Sequence, residues 1–292
     1  MVFRMNFALA GAISLALVAV AASGTSAQMR MKRDPYLIYV PTPQSVVDKM
    51  LEVAKVTKDD YVFDLGSGDG RIPITAARVY GARGFGVDIN SKLVAEARAN
   101  AKAAGVADRV EFRQQDLFKT SVRDATVVGL YLFVWANEKL RPRLIGELRP
   151  GSRIVAHDFP IGDDWKPDVQ EEIENRTVYL WYVPAQVGGR WDVTGGPQPF
   201  SIQLQQQFQM IAGIATIDGR SFPLSNASLR GDAVEFTVAV DAGKPMQFHG
   251  RVTGDRIEPH TEAVGAMQGW SATRTAPAPA APASGVVLKS RG

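Results

Sequence analysis

The chain has 292 residues, of which 46% are hydrophobic and 22% charged, and its formal net charge is +3. This length and hydrophobic fraction indicate about two globular domains with buried cores, and the complete lack of cysteine excludes disulfide scaffolds, thiol nucleophiles and cysteine-ligated metal sites. Three scattered histidines and a small excess of positive charge also predict no metal site and no nucleic-acid partner, since nucleic-acid binding needs a clustered basic patch.

The N-terminal segment is typical of a targeting sequence. Arg4 precedes an apolar stretch over residues 7–22, and Thr25-Ser26-Ala27 offers a small-x-small cleavage site. Residues 1–27 are therefore predicted to be a signal peptide that directs an exported, periplasmic or secreted protein. The alternative is an uncleaved anchor, because the basic residues in the segment 30–33 can hold the following domain on the cytoplasmic side, close to the membrane.

Residues 35–187 alternate short apolar stretches with amphipathic helical patterns. Short strands with little alternation are typical of a parallel sheet that helices cover on both faces. We predict a doubly wound, mostly parallel α/β domain, with Thr42 as the N-cap of its first helix. The predicted strands are Tyr61–Leu65, 84–87, 110–113, 126–133, Arg153–His157 and 177–183, and the predicted helices are 43–55, 72–80, 92–104 and 137–148.

Residues 188–275 have the pattern of a small all-β meander domain. Val234, Phe236 and Val238 alternate with other residues, and Trp191 and Trp270 are predicted core residues near its two ends. The Ala/Pro-rich segment 276–292 is predicted to be a disordered tail. Dipeptides typical of tight turns separate the predicted strands, at Asp218-Gly219, Gly231-Asp232 and Gly254-Asp255.

A glycine-rich turn follows the first predicted strand of the α/β domain. The segment 62–71 reads Val-Phe-Asp-Leu-Gly-Ser-Gly-Asp-Gly-Arg, and a helix is predicted directly after it. Glycine permits positive φ and a close approach of the backbone to a ligand, and the first N–H groups of a helix are available to ligand oxygens. The G-x-G-x-G spacing differs from the G-x-G-x-x-G of dinucleotide binders, so a nicotinamide-dependent oxidoreductase is the third-ranked hypothesis.

Acidic residues follow the next two predicted strands. Asp88 ends the second strand, where a carboxylate can accept hydrogen bonds from two ribose hydroxyls. Asp116 follows the third strand, where it can accept a hydrogen bond from an adenine amino group. Either acid can instead be a helix N-cap or a solvated loop residue. Their order along three successive strands, together with the glycine-rich turn, favours a nucleoside-containing cofactor.

These motifs resemble those of class I S-adenosylmethionine-dependent methyltransferases, over residues 35–184. The resemblance implies that the turn lies under the methionine part of the cofactor, that Asp88 binds ribose and that Asp116 contacts adenine. The turn residues in this role are Asp64, Gly66, Ser67, Gly68, Asp69 and Gly70.

The chain also resembles the lysine methyltransferases that act on the ATP synthase c-subunit or on the adenine nucleotide translocase. Three stretches carry this resemblance, namely Tyr39-Val40-Pro41-Thr42 with its following helix, residues 64–72, and the strand-four region through Phe159. It implies S-adenosyl-L-methionine as cofactor and a protein lysine as methyl acceptor, with a membrane or envelope protein as the suspected substrate. Tyr39, Thr42 and Gln115 complete the expected cofactor contacts.

Candidate catalytic residues follow strands four and five. Methyl transfer mainly needs alignment of acceptor and methyl group, and a lysine must also lose its proton, which an apolar surrounding favours. Tyr131 and Trp135 can pack beside an amine or a sulfonium, as can Phe133, for which a core position is an equal alternative. His157 can take or relay a proton, and Trp165 can close the site; a structural role is the alternative for both.

The β domain shows no comparable chemical pattern. Its Gln-rich stretch 203–209 is typical of the wet face of a sheet, with carbohydrate or peptide binding as a minor alternative. The leading hypothesis is a methyltransferase whose β domain serves docking or substrate recognition. The alternative is an exported cofactor-binding scaffold without transfer activity, whose β domain binds an envelope partner, because the cofactor is made in the cytoplasm.

Overall fold

The computed structural model of the chain describes residues 39–240, 243–260 and 265–277. The predicted signal peptide and residues 278–292 of the predicted tail lie outside the described residues. Residues 276 and 277 belong to the last strand, which therefore runs two residues beyond the predicted end of the β domain. Among the helices of the described ranges, none is long and apolar enough to cross a membrane.

The N-terminal part is a seven-stranded sheet in the order β3-β2-β1-β4-β5-β7-β6. Strands β1 to β5 pair in parallel, and β7 is antiparallel to both of its neighbours, so the predicted mostly parallel α/β sheet is confirmed. The elements are α1 (Gln44–Val53), β1 (Tyr61–Leu65), α2 (Arg71–Tyr80), β2 (Arg83–Asp88), α3 (Ser91–Ala103), β3 (Val110–Gln114), β4 (Val127–Leu130), α4 (Val134–Glu147), β5 (Arg153–His157), β6 (Val169–Ile173) and β7 (Arg176–Tyr182).

Helices cover both faces of this sheet. Val127 and Val128 are successive residues of β4, so their side chains point to opposite faces. Val127 shares a core cluster with Met50 of α1, whereas Val128 shares another with Leu140 of α4. Strand β6 was not predicted, because it is an edge strand whose central Gln-Glu-Glu residues are exposed and give no apolar pattern.

Two local predictions in this domain are wrong. Strand β4 ends at Leu130, where its pairing with β5 stops, so Tyr131 and Phe133, predicted as strand, lie in a loop. The helix α4 begins at Val134, three residues before its predicted start. Thr42 does not cap α1. Pro43 occupies the N-cap position without a side-chain hydrogen bond, and the Thr42 hydroxyl points into the protein instead.

The C-terminal part is a closed eight-stranded barrel, which is more specific than the predicted meander. Successive strands pair antiparallel, and the pairing of β8 with β15 closes the barrel. Trp191, Phe236, Phe248 and Trp270 are buried in its core, as predicted for the two tryptophans. The strands are β8 (Gly189–Gly195), β9 (Phe200–Gln207), β10 (Met210–Ile217), β11 (Arg220–Arg230), β12 (Ala233–Val238), β13 (Met246–Thr253), β14 (Arg256–Pro259) and β15 (Trp270–Pro277).

The connection between the two parts is held by Gln206 of β9. Its side-chain oxygen accepts hydrogen bonds from the backbone N–H groups of Val187 and Gly188, and its amide donates to the carbonyl of Ala185. The wet-face prediction fits Gln203 and Gln205, which are exposed, and is wrong for Gln206. The alternation of exposed and buried residues in β9 ends at Gln206, because this residue bonds to the segment that connects the two parts.

Candidate active site

The glycine-rich turn connects β1 to α2 and is fastened to β2. The N–H groups of Gly66 and Ser67 donate to the carbonyl of Val87 at 2.9 and 2.8 Å. Gly66, Gly68 and Gly70 all have positive φ, at 92°, 51° and 81°. A Cβ on Gly70 would lie 2.5 Å from the ring of Phe112, so this position requires glycine for both conformation and space.

Asp88 lies against this turn, as the sequence predicts. The Gly68 N–H donates to its Oδ2 at 3.1 Å, and the Asn90 N–H donates to its Oδ1 at 2.8 Å. Each carboxylate oxygen has a further acceptor position, so Asp88 can still receive two hydroxyl groups. The nearby Ser67 Oγ is buried and has no hydrogen-bond partner among the described residues. A buried hydroxyl of this kind fits a site that a ligand completes.

The loop after β3 brings Asp116 to the same edge of the sheet. The Gln115 N–H donates to the carbonyl of Asp88 at 3.0 Å, so the residue before Asp116 is bonded directly to Asp88. Asp116 Oδ1 accepts from the Phe118 N–H at 2.8 Å, which is the capping role considered as its alternative, and leaves Oδ2 as the candidate ligand atom. The Gln115 side chain donates to Thr120 Oγ1 at 2.9 Å.

Asp64 is buried beneath the turn and its electrostatics are unusual. Burial, and then the negative charges of Asp88 and Asp69, raise the pKa of the Asp64 carboxyl to about 8. Asp69 forms an ion pair with Arg71, at 2.6 Å between Oδ2 and Nη2. A group of carboxylates at one edge of the sheet favours a cationic ligand group, because such a group lowers the repulsion among them.

Thr42 and His157 form a buried contact behind the site. The Arg71 guanidinium donates to the Thr42 carbonyl at 2.6 Å, and Thr42 Oγ1 lies 3.3 Å from His157 Nδ1. The His157 ring is 1% exposed and stacks on the Tyr131 ring at 3.9 Å. Burial lowers the pKa of His157, against the opposing effect of Asp158, and so favours the neutral ring. His157 therefore supports Tyr131 from behind.

Aromatic residues follow β4 and β5 beside His157, and they are half-buried or exposed. We call Tyr131, Phe133, Trp135 and Phe159 the aromatic cluster; the Trp135 ring itself lies 6.0 Å from the ring of Phe118. The Phe159 ring lies 6.0 Å from that of Tyr131 and 5.6 Å from that of Phe133. Phe133 and Trp135 are each 45% exposed, so the core alternative for Phe133 is wrong. Phe159 has no role of its own in the sequence prediction, although the stretch that resembles the lysine methyltransferases ends there.

Asn137 is a structural residue of this site that sequence reasoning missed. Its buried side-chain amide donates to the carbonyls of Phe159 at 2.9 Å and Leu132 at 3.2 Å. It thereby ties the loop after β4 to the loop after β5. A polar residue on the buried face of a helix could have indicated this role. Asn137 was the first residue of the predicted helix, where the sequence pattern did not show that it is buried.

Trp165 lies away from solvent, in the core. Its ring is 1% exposed, its carbonyl accepts from Trp181 Nε1 at 2.9 Å, and its ring stacks on Phe208 of the barrel at 5.2 Å. This burial favours the structural role that was the alternative for Trp165 over the predicted closing of the site. Tyr39 is 39% exposed. No cluster of potential metal ligands occurs within the described ranges.

Comparisons with known proteins agree with this architecture. The family model of the ANTKMT methyltransferase domain matches residues 64–169. A protein-lysine N-methyltransferase of Saccharolobus islandicus is 44% identical over 154 residues, which are 51% of this chain and 95% of that protein. The lysine N-methyltransferase of the ATP synthase c-subunit from Mus musculus is 31% identical over 183 residues, which are 63% of this chain and 73% of that protein.

A solved structure shares the α/β domain. It is an RNA methyltransferase from Salinibacter ruber in complex with S-adenosyl-L-homocysteine, 55% identical, with a TM-score of 0.50, and the match covers 51% of this chain and 96% of that chain. The fold, the glycine-rich turn and the strand-end acids define a class I methyltransferase. The chain belongs to the family of S-adenosylmethionine-dependent lysine methyltransferases that contains the ANTKMT domain, and the predicted resemblance is confirmed.

Proposed function

We propose that this chain transfers a methyl group from S-adenosyl-L-methionine to the side-chain amine of a lysine in a protein substrate. The observation that carries the proposal is the position of the aromatic cluster. It follows β4 and β5, at the same edge of the sheet as Asp88, Asp116 and the glycine-rich turn. Cofactor and acceptor groups therefore meet at the carboxyl ends of the strands, where open α/β sheets bind ligands.

The cofactor would be held by the groups around the glycine-rich turn. Asp88 would receive the ribose hydroxyls, Asp116 the adenine amino group, and the carboxylates of Asp64 and Asp69 would favour the positive charge of the methionine part. The buried Ser67 hydroxyl fits this arrangement because it lacks another partner among the described residues. When bound, S-adenosylmethionine supplies a methyl group already activated on its sulfonium.

Several predicted cofactor residues would act in other ways. Thr42 would position Arg71 and His157, since its carbonyl and its hydroxyl are directed to these residues. Gln115 would hold the loop of Asp116 through its backbone bond to Asp88 and its side-chain bond to Thr120. Tyr39 would contact the cofactor, as the resemblance to the lysine methyltransferases implies.

The aromatic cluster would bind the acceptor. Its rings would desolvate a lysine side chain, which favours the neutral nucleophilic amine. They would also attract the cationic sulfonium of the cofactor through cation–π contact. Tyr131, fixed from behind by His157, and the exposed Phe133 and Trp135 would align the amine with the methyl group. Transfer to the lysine would need no buried base, because the ammonium group can lose its proton to water as it enters the apolar site and becomes the neutral amine.

Isotope labelling tests the transfer. The full chain is incubated with tritium-labelled S-adenosylmethionine and either a cell-envelope protein extract or purified cellular RNA. We expect label in methylated lysine after protein hydrolysis, no label with Asp88→Ala, and normal label with Asp218→Ala in a barrel turn. RNA is the second candidate acceptor, because the Salinibacter ruber relative is described as an RNA methyltransferase. Label in RNA alone, or no labelled product, would contradict the proposal.

We further propose that the substrate is an envelope protein and that the chain reaches it through its N-terminal segment. The support is the apolar stretch at 7–22 and the cleavage pattern at 25–27. A fusion of residues 1–40 to a reporter that is active only outside the cytoplasm tests this. An active reporter supports export, and an inactive reporter supports the cytoplasm-facing anchor and would contradict a periplasmic enzyme.

A further inference from the structure

One turn of the barrel has an unusual sequence for its conformation. Gln207 pairs with Met210, so Phe208 and Gln209 alone form the turn between β9 and β10. Phe208 has a φ of 53°, which is rare for a bulky residue. The other two-residue turns of the described barrel contain Asp218-Gly219, Gly231-Asp232 and Gly254-Asp255, residues that suit tight hairpins. Phe208 is thus not explained by the needs of the turn.

The Phe208 side chain contacts the α/β domain. Its ring stacks on Trp165 at 5.2 Å with an interplanar angle of 11°, and the Arg141 guanidinium lies 5.5 Å from its centre. The neighbouring Gln209 donates a hydrogen bond from Nε2 to the carbonyl of Lys166 at 2.6 Å. The turn therefore contacts residues 165 and 166, near the end of the loop that follows β5.

The same loop carries Phe159 of the aromatic cluster. Arg141, which lies against Phe208, donates to the Ile161 carbonyl at 3.3 Å and pairs with Asp164. Asn137, one helical turn earlier in α4, donates to the Phe159 carbonyl at 2.9 Å. One continuous set of contacts thus runs from the barrel turn, through the loop and α4, to the acceptor side of the site.

We propose that Phe208 is a positioning residue for methyl transfer. By stacking on Trp165 it fixes the loop 159–168, and so the position of Phe159 beside the acceptor amine. The inference rests on the proposed function. In this arrangement the barrel supports the residues that bind the acceptor and takes no part in cofactor binding. A positive φ in a bulky residue such as Phe208 is strained, and it persists only where surrounding contacts hold the backbone in that conformation. Strained residues of this kind cluster at functional sites.

A second contact holds the barrel independently of Phe208. The Arg230 guanidinium lies 4.4 Å from the ring centre of Tyr182, and the Gly231 carbonyl accepts from the Ala185 N–H at 2.8 Å. Removal of the Phe208 ring therefore leaves the barrel attached. This allows the effect on the loop to be measured in a folded chain.

The test compares Phe208→Ala, Phe208→Tyr and the control Asp218→Ala in the full chain. Hydrogen exchange is measured over residues 159–168, binding of S-adenosylhomocysteine by calorimetry, and lysine labelling with the envelope extract. For Phe208→Ala we expect about two- to tenfold faster exchange in the loop and a similar fall in labelling, since an aromatic pair contributes to this extent. We expect cofactor affinity within about twofold of wild type, as the stacked residues lie outside the carboxylate site.

Phe208→Tyr should restore both exchange and labelling, because it keeps the stacked ring, and Asp218→Ala should change neither. Loop exchange that is unchanged in Phe208→Ala, or raised equally in Asp218→Ala, would overturn the inference. Loop exchange is measured without any acceptor, so a chain that labels no lysine would refute the proposed function while the exchange result still decides on the role of Phe208.

Discussion

The α/β domain and the barrel contribute to function in different ways. In the α/β domain, Asp64 and Asp88 lie in the last residues of β1 and β2, and Asp116 follows β3. The sheet gathers their side chains at one edge. In the barrel, the interior is filled by residues such as Trp191, Phe236 and Trp270, and the contribution to the site is made by one turn. Chemistry at strand ends can be recognised from local sequence, whereas a role exerted through docking contacts becomes visible only in the folded chain.

The largest expected effect is a difference in stability loss between substitutions at two glycines that have similar positive φ, Gly70 and Gly219. Gly70→Ala should lower the free energy of unfolding by about 3 kcal/mol, because the added Cβ combines a disfavoured positive φ with a 2.5 Å clash against Phe112. Urea denaturation measures this loss. Gly219→Ala is the matched control in the barrel: its φ is +74° and nothing lies within 4 Å of the added Cβ. A loss of about 1 kcal/mol is expected there, and equal losses would contradict the close packing at Gly70.

The next effect concerns the buried Asp64. Its pKa of about 8 in the folded chain exceeds the ordinary value of 3.8, so the folded state binds the proton more tightly than the unfolded state. This contribution to stability is present below about pH 4 and is lost as pH rises towards 8. Asp64→Asn removes the ionisable group. We expect it to raise the melting temperature by a few degrees at pH 8 and hardly at all at pH 5.

The same group links cofactor binding to protons. If a cationic part of the ligand favours the ionised form of Asp64, S-adenosylhomocysteine binding at pH 7 should release a proton. Calorimetry in two buffers of different ionisation enthalpy measures this release. The Asp64→Asn variant should bind about tenfold more weakly or worse, since a charged partner is lost, and should release no proton. An equal proton release in the variant would assign it to another group.

Much of the catalytic domain could be predicted from sequence, because its signals are local. The glycine-rich turn and Asp88 lie where the sequence places them. The end of β4 could not be predicted, since Tyr131 and Phe133 extend an apolar stretch that only sheet pairing terminates. Closure of the barrel depends on pairing between β8 and β15, which are distant in sequence, and the role of Phe208 depends on a contact between domains.

The smallest expected effect concerns the second attachment of the barrel. Arg230→Ala removes a cation–π contact with Tyr182 at the surface, so it should lower the free energy of unfolding by about 0.5–1 kcal/mol. The measurement is urea denaturation, with Arg256→Ala on an exposed barrel strand as the control. Loop exchange over residues 159–166 should stay unchanged; Asp168 is left out because Arg230 acts on it electrostatically. Faster loop exchange in Arg230→Ala would show that docking as a whole, rather than the Phe208 turn, controls the loop.

One calorimetric comparison tests the division of labour between the two regions most directly. S-adenosylhomocysteine is titrated into the full chain, Asp88→Ala and Phe208→Ala. We predict that affinity falls about 100-fold in Asp88→Ala, because two hydrogen bonds to a charged carboxylate are lost, and stays within about twofold of wild type in Phe208→Ala. Unchanged affinity in Asp88→Ala would contradict the cofactor site, and an equally large loss in Phe208→Ala would contradict the separation of cofactor binding from the barrel.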